Sequence, residues 1–331
     1  VDVAADLDPT RHRRIARWAS TSAAIVGWAA AAAGSVVLAA RWSAIDPPPV
    51  PVIVATAPAV ALVAVGLGLV ALAVCRSARL GVVLGVVVVA GLVTWWPIVS
   101  GPSPTSEAEP NVRVATWNMA FSNPTPAEGI ETLLDAEPDL LALQEVTLAH
   151  QVALDSTDLV DDLPHVRTGA EDGALGWVLA SRWPILDHGV DRIDRWPVPW
   201  IVVGTPRGRV RFTGVHTPPP GLADPGAWSD QLEALPAVLG DVGAARRIVA
   251  GDFNATTDHA AFRAVTAGSD LADARSALGG WGPTWPDGRR TPAFAAIDHV
   301  LASRDAEVVD VAQLGGLGSD HRAVVAELHL P

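Results

Sequence analysis

Gly251-Asp252-Phe253-Asn254 sets a carboxylate and an amide two residues apart. The apolar run before it, Arg247-Ile248-Val249-Ala250, predicts a buried strand. In extended backbone, side chains two apart share a face. Asp252 and Asn254 should therefore project together from the strand end. A charged oxygen ligand beside a neutral amide suits a hard cation and a phosphate oxygen held side by side. The same four residues also suit an ordinary turn capped by Asp and Asn, so their companions decide. Other polar groups stand where apolar runs stop: Asn118, Glu145 and His216 at strand ends, Asp298 inside a strand, and Asp320-His321 just before the last one. Sites assemble along one end of a sheet. Phosphoester hydrolysis needs a cation to neutralise charge, a base for water and donors to the non-bridging oxygens. A histidine beside a carboxylate is held in one tautomer and favours the imidazolium.

The elements that must position these groups can be read from periodicity. Strands are expected at residues 112–117, 139–146, 175–180, 184–190, 200–203, 209–215, 247–254, 295–302 and 324–330. The second and third pairs of runs look like hairpins, turning at Ser181-Arg182-Trp183-Pro184 and at Thr205-Pro206-Arg207-Gly208. Ile130, Leu133 and Leu134 give residues 126–137 a helical stripe. Trp228, Leu232 and Leu235 do the same for a helix starting at Asp224-Pro225, with Pro236 bending it. A short helix is expected at 258–265 and a long loop at 278–292. Strands alternating with helices early, and paired strands later, predict an α/β (α+β) four-layer sandwich: two packed mixed β-sheets flanked by helices.

The first third of the chain is different. Of 331 residues, 50% are hydrophobic and the mean hydropathy is +0.30, which exceeds the habit of soluble proteins. Three uncharged stretches, residues 18–40, 49–75 and 80–101, are each long enough for the roughly 20 residues a bilayer core requires. Three transmembrane helices are therefore expected ahead of the catalytic domain. The organisation reads as a cytoplasmic tail (1–17), an anchor (18–101), a proline- and serine-rich linker (102–110) and an extracytoplasmic domain (111–331). Arg11, Arg13, Arg14 and Arg17 precede the first stretch, and Arg76 and Arg79 follow the second. Arginine excess marks the cytoplasmic side, and three crossings then put everything after residue 101 outside. The stretches hold no acid, base or histidine, so an anchor is expected and not a transporter.

Charge separates along the chain in the same way. Residues 1–104 carry seven arginines against four aspartates, a net +3; the remainder carries 16 arginines against 32 acids, a net −16. A domain this acidic has no bulk attraction for a nucleic-acid backbone. The single cysteine, Cys75, excludes an intramolecular disulfide and a cysteine-based metal site.

Taken in order, Thr116-Trp117-Asn118-Met119, Leu143-Gln144-Glu145-Val146, Val215-His216, Gly251-Asp252-Phe253-Asn254, Ile297-Asp298-His299-Val300 and Gly318-Ser319-Asp320-His321 resemble the endonuclease/exonuclease/phosphatase (DNase I-like) superfamily. The resemblance runs from about residue 111 to the end. It implies Glu145 as the principal Mg²⁺ ligand, with Asn118 and Asp320 near the metal and Mn²⁺ as a substitute ion. It implies that Asp252 orients or activates water and that Asn254 binds a phosphate oxygen. His321 would touch the phosphate with Asp298 fixing its ring, and His216 would be the second phosphate or leaving-group histidine. The chain departs from the pattern in two ways: it has no tyrosine, and Ala296 stands where many relatives have arginine. The acid supporting His216 is not evident, with Glu171 and Asp172 as candidates. His299, facing away from Asp298 on the same strand, reads as structural, as do His150, His165, His188 and His259.

Two loops could read the substrate: Arg195-Trp196-Pro197-Val198-Pro199-Trp200, expected to expose two tryptophans among prolines, and Trp281 to Arg290, which combines Trp281 and Trp285 with Arg289-Arg290. Tryptophan with arginine suits a lipid headgroup interface or stacked bases. The anchored layout is similar to membrane-bound actinomycete members of the superfamily linked to undecaprenyl-pyrophosphate dephosphorylation. A phosphorylated lipid met at the bilayer is the leading expectation. An extracellular nuclease and a sphingomyelinase-type lipid phosphodiesterase stay open. A non-catalytic binding module would need a broken motif, and none is visible.

Overall fold

The computed structural model describes residues 9–43, 50–96, 100–101, 108–221, 225–240, 243, 246–288 and 290–331. Residues 1–8, Asp46, most of the 102–110 linker, Asp224 and Arg289 lie outside the described residues. The chain divides into two compact units, Val1–Ser43 with Thr56–Trp96, and Ala44–Ala55 with Pro97–Pro331.

The first unit is helical. Its helices are α1 (Pro9–Trp42), α3 (Ala57–Cys75) and α4 (Ala78–Thr94); a short α2 (Val50–Ala55) precedes α3. The stretch expected to run unbroken from residue 49 is interrupted at Thr56, where Pro58 opens α3. Proline suits a first helical turn because its missing N–H has no intrahelical partner there. The α3–α4 turn is Arg76 in the left-handed region (φ 49°), then Ser77, whose hydroxyl accepts the Leu80 N–H. Two residues of turn make α3 and α4 an antiparallel hairpin. Leu80 packs against α1 at Gly27, Val87 at Gly34, and Thr94 accepts the Trp42 indole N–H at 3.2 Å. These contacts advance together along both helices, so α4 runs in the direction of α1 and ends level with it.

Two helices, Arg13–Trp42 and Ala57–Cys75, are long and apolar enough to cross a membrane. Three had been expected. The third apolar helix, Ala78–Thr94, has 17 residues. That gives about 25 Å of rise against a hydrocarbon core of about 30 Å.

The second unit is built on two six-stranded mixed sheets. The first holds β1 (Val112–Asn118), β2 (Leu140–Gln144), β3 (His165–Gly169), β4 (Trp177–Ser181), β11 (Glu307–Leu314) and β12 (Ala323–His329), in the order β11-β12-β1-β2-β4-β3. The second holds β5 (Ile185–Ile193), β6 (Trp196–Thr205), β7 (Gly208–His216), β8 (Arg246–Asp252), β9 (Leu271–Asp273) and β10 (Asp298–Ser303), in the order β5-β6-β7-β8-β10-β9. Each sheet has one parallel pair at its centre, β1–β2 and β7–β8; the other pairings are antiparallel. The β4–β5 hairpin expected at Ser181–Pro184 is instead where the chain leaves one sheet for the other. The β6–β7 hairpin forms as expected.

Three apolar layers hold the sandwich. Val112, Val114, Leu140 and Ala142 meet Phe212, Ile248, Ala250 and Val300 between the sheets. Ala115, Trp117, Leu141 and Leu143 face outward onto Ile130, Leu133 and Leu134 of helix α5 (Pro126–Leu134). Val215, Val249 and Leu301 face outward onto Trp228, Leu232 and Leu235 of a helix at Pro225–Leu239, and onto Phe262 and Val265 of another at Ala260–Ser269. Pro236 sits inside its helix, which continues to Leu239. The result is a four-layer arrangement in which neither sheet leaves an apolar face open to water.

Candidate active site

The alternation that builds these layers also aims the polar groups. Inward-facing positions are 112 and 114 on β1, 210 and 212 on β7, 248 and 250 on β8, and 300 and 302 on β10. Counting on by twos gives Asn118, His216, Asp252 and Asp298, so all four face the space between the sheets. Register brings them level: His216 pairs with Asp252, and Asp252 with Asp298. Asn118 bridges the two sheets here, donating to Asp252 Oδ2 at 3.0 Å and to Glu145 Oε1 at 3.1 Å. The parallel pairing at β7–β8 depends on Gly251. A Cβ there would lie 1.8 Å from the Val215 carbonyl oxygen.

Glu145 lies one residue past β2 and by alternation would face outward. Its backbone is left-handed (φ 59°), which turns the carboxylate back into the cleft. A β-carbon makes that conformation uncommon for anything but glycine, asparagine or aspartate. The Phe121 N–H then donates to Oε2 at 2.9 Å. Asn254 is also left-handed (φ 47°). Its N–H donates to Asp252 Oδ1 at 2.7 Å, and its amide donates to Thr217 O at 2.8 Å and Asp252 Oδ2 at 3.3 Å.

Two histidines flank Asp252. His321 sets Nδ1 3.0 Å from Asp298 Oδ2 and Nε2 3.8 Å from Asp252 Oδ2. The Ser319 hydroxyl fixes it from behind, accepting the His321 N–H at 3.0 Å and donating to Asn118 O at 2.7 Å. His216 donates from Nδ1 to Ala174 O at 2.9 Å, which leaves Nε2 3.7 Å from both Glu145 Oε1 and Asp252 Oδ2. The expected acid behind His216 is thus a backbone carbonyl. Glu171 and Asp172 are exposed on the turn that carries Ala174.

Burial, then the charge of Asp298, pushes the Asp252 carboxyl up to about 6, although both histidines and the Asn254 N–H pull it down. Burial alone would lower His321, but Asp298 and Asp252 outweigh it and raise the imidazole to about 10. At neutral pH His321 is an imidazolium whose free N–H faces the cleft. Asp252, Asp298 and His321 lie within 4.8 Å of one another, a spacing that could hold a metal ion. His321 also links the two carboxylates through close ion pairs. Glu145 and Asp320 on the cleft wall offer further carboxylate oxygens that could hold a cation. An all-oxygen set of two carboxylates in an open cleft fits a hard divalent cation.

The cleft has a volume of about 830 Å³ and is lined by Glu145, His216, Asp252, Asn254, Asp320 and His321, with aromatic flanks from Phe121, Trp196 and Trp285. Asn118 and Asp298 sit behind this wall. Every residue singled out for the site from the sequence is therefore gathered here. The Asn118 oxygen accepts the Ala120 N–H while its amide orients two carboxylates. The Asn254 amide is engaged with Thr217 and Asp252. The tryptophans of residues 196–200 are not on an exposed loop, because this segment starts strand β6. Trp196 is 6% exposed and meets His216 edge-on at 5.1 Å, while Trp200 lies under the Arg211 guanidinium at 4.1 Å. Trp285 donates to Asp320 Oδ2 at 3.3 Å. Ala174, Thr217 and the Phe121 N–H were not foreseen; all three act through backbone atoms, which leave no mark in a sequence.

The profile of the endonuclease/exonuclease/phosphatase family matches residues 115–321. The chain belongs to that family. Its members are typically hydrolases of phosphoester bonds. The catalytic unit is similar to a family protein from Beutenbergia cavernae at 25% identity, with a TM-score of 0.53, over 67% of this chain and 72% of that one. It shares its fold, at 16% identity, with Danio rerio TDP2 bound to a single-strand DNA product (TM-score 0.55; 66% of this chain, 98% of that one). The fold also recurs, again at 16% identity, in a mannosyl-6-phosphatase of Bacteroides thetaiotaomicron (TM-score 0.51; 66% and 100%). No sequence match was found among curated proteins.

Proposed function

We propose that the protein is a Mg²⁺-dependent phosphoester hydrolase acting on a lipid-carrier pyrophosphate at the outer face of a membrane. The observation that carries the reaction class is the meeting of Glu145, His216, Asp252 and His321 on one cleft, each held by a second group. Glu145 and Asp320 would hold the cation, which when bound neutralises phosphate charge and favours attack by water. Asn118 and the Phe121 N–H keep Glu145 aimed. Asp252, with a pKa of about 6, is poised to accept a proton from water near neutral pH. His321 presents an N–H to a non-bridging oxygen, and Asp298 keeps it charged. His216 Nε2, 3.7 Å from Asp252 Oδ2, is the group assigned to meet the leaving oxygen.

A lipid substrate is supported by the apolar helices, and the charge of the cleft offers a polynucleotide no bulk attraction. Among the described residues that line it there is no arginine, and the chain has no lysine. A polynucleotide backbone would find four carboxylates, Glu145, Asp252, Asp287 and Asp320, and two histidines. The face of the membrane depends on α4. With α4 crossing, the positive-inside pattern puts the catalytic unit outside; with α1 and α3 alone it would lie on the arginine side. Supporting a third crossing, α4 runs in the direction of α1 and ends level with it at Trp42. Tilt or local thinning of the bilayer accommodates a short helix.

Purified full chain in detergent with Mg²⁺, offered undecaprenyl pyrophosphate, sphingomyelin and plasmid DNA in parallel, tests the reading. Phosphate release from the polyprenyl substrate is expected to dominate. Preferred cleavage of the plasmid would hand the assignment to a nuclease, and of sphingomyelin to a lipid phosphodiesterase.

A further inference from the structure

His299 faces away from the cleft, yet it is tied to three segments that form it. It follows Asp298 on β10, so alternation sends it to the outer face of the second sheet. There it is 3% exposed, between Phe253 and Phe262. Its Nδ1 lies 3.0 Å from Asp273 Oδ1 and its Nε2 2.8 Å from the Ala255 carbonyl oxygen. Both partners are acceptors, so both ring nitrogens must carry protons. Burial opposes that charge, but Asp273 outweighs it and raises the imidazole. Such a pair is weak evidence of stabilisation, because desolvating two charges offsets most of their attraction.

What the pair touches is more informative. Ala255 directly follows Asn254, whose left-handed backbone needs support on both sides. The Trp228 indole donates to Asn254 O at 3.0 Å, and His299 holds the next carbonyl. The second oxygen of Asp273 accepts the Ser276 N–H at 2.7 Å and caps the short helix Ala274–Leu278. The loop leaving that helix brings Trp285, Asp287 and Gly288 to the cleft. We propose that His299, paired with Asp273, is a positioning residue: it locks the Asn254 turn into the geometry the cleft requires. This rests on hydrolysis taking place in that cleft.

Four forms of the full chain in detergent test it: wild type, His299→Gln, Asn254→Ala and the double variant. A residue acting through Asn254 loses its effect once Asn254 is gone. His299→Gln alone should lower kcat roughly tenfold or more, and add less than about twofold on the Asn254→Ala background. Hydrogen exchange gives a readout independent of turnover. Exchange in residues 251–257 should rise in His299→Gln while the β1 and β2 strands keep their protection. Should His299→Gln fail to fold, Asp273→Asn is expected to show the same pattern more weakly. Losses that multiply in the double variant, or unchanged exchange in 251–257, would overturn the proposal. A wild type without hydrolytic activity would count against the proposed function alone, and the exchange measurement would still decide this one.

Discussion

In the proposed reaction the chemistry turns on Asp252. It is 1% exposed, receives hydrogen bonds from Asn118 and Asn254, and stands between two imidazoles. Replacing Asp252 by Asn, Glu145 by Ala or His321 by Gln should each reduce turnover by roughly 100-fold or more. Far-UV circular dichroism of each variant should match wild type. The pH dependence follows from the directions of two shifts. As a base, Asp252 must be ionised, so kcat/KM should rise as pH passes about 6. As a donor, His321 must be protonated, so kcat/KM should fall as pH passes about 10. The two limbs belong to the coupled cluster and not to either residue alone. A pH–rate profile with both limbs checks this; a single limb near 7 would contradict it. At this scale the sequence was informative, because a carboxylate or imidazole at the end of an apolar run has few other reasons to be there. The roles of the amides were less legible. Which way Asn118 or Asn254 turns depends on the Ala120 backbone N–H and the Thr217 carbonyl oxygen, and residue identity does not reveal either.

Strand register converts these residues into a site. The alternation that buries Val114, Phe212, Ile248 and Val300 leaves Asn118, His216 and Asp252 four residues further on, and Asp298 two residues earlier, facing each other. Gly251 permits the close β7–β8 approach that puts His216 beside Asp252. Gly251→Ala should therefore cost about 2 kcal/mol or more, read as a lower urea midpoint, and should impair activity in the fraction that remains folded. A stability change below about 0.5 kcal/mol would show the pairing to be more tolerant than the geometry implies. Central strands were legible as apolar runs. Edge strands β3 and β11 were not. Residues of β3 are only half-buried, and a bulge between Val308 and Asp310 breaks the alternation of β11. The hairpin expected at Ser181–Pro184 failed because two adjacent apolar runs carry no signal for whether they share a sheet.

For the molecule as a whole, the single cysteine offers a topology probe. Cys75 is free and ends α3, beside Arg76. In intact cells an impermeant maleimide should leave Cys75 unlabelled while added protease removes the catalytic unit; that pair of outcomes requires α4 to cross. Protection of both sites would reduce the anchor to two crossings and move the catalysis inside. Hydropathy located the apolar stretches but could not fix their number, because α4 sits at the margin of spanning length. The most direct test of the central claim, that this cleft is a cation-dependent phosphoesterase, is phosphate release from undecaprenyl pyrophosphate by wild type and Glu145→Ala, with Mg²⁺ and with EDTA. Release that requires Mg²⁺ and falls by roughly 100-fold or more in Glu145→Ala is the predicted result. Release that survives EDTA, or that Glu145→Ala retains at wild-type rate, would contradict the account.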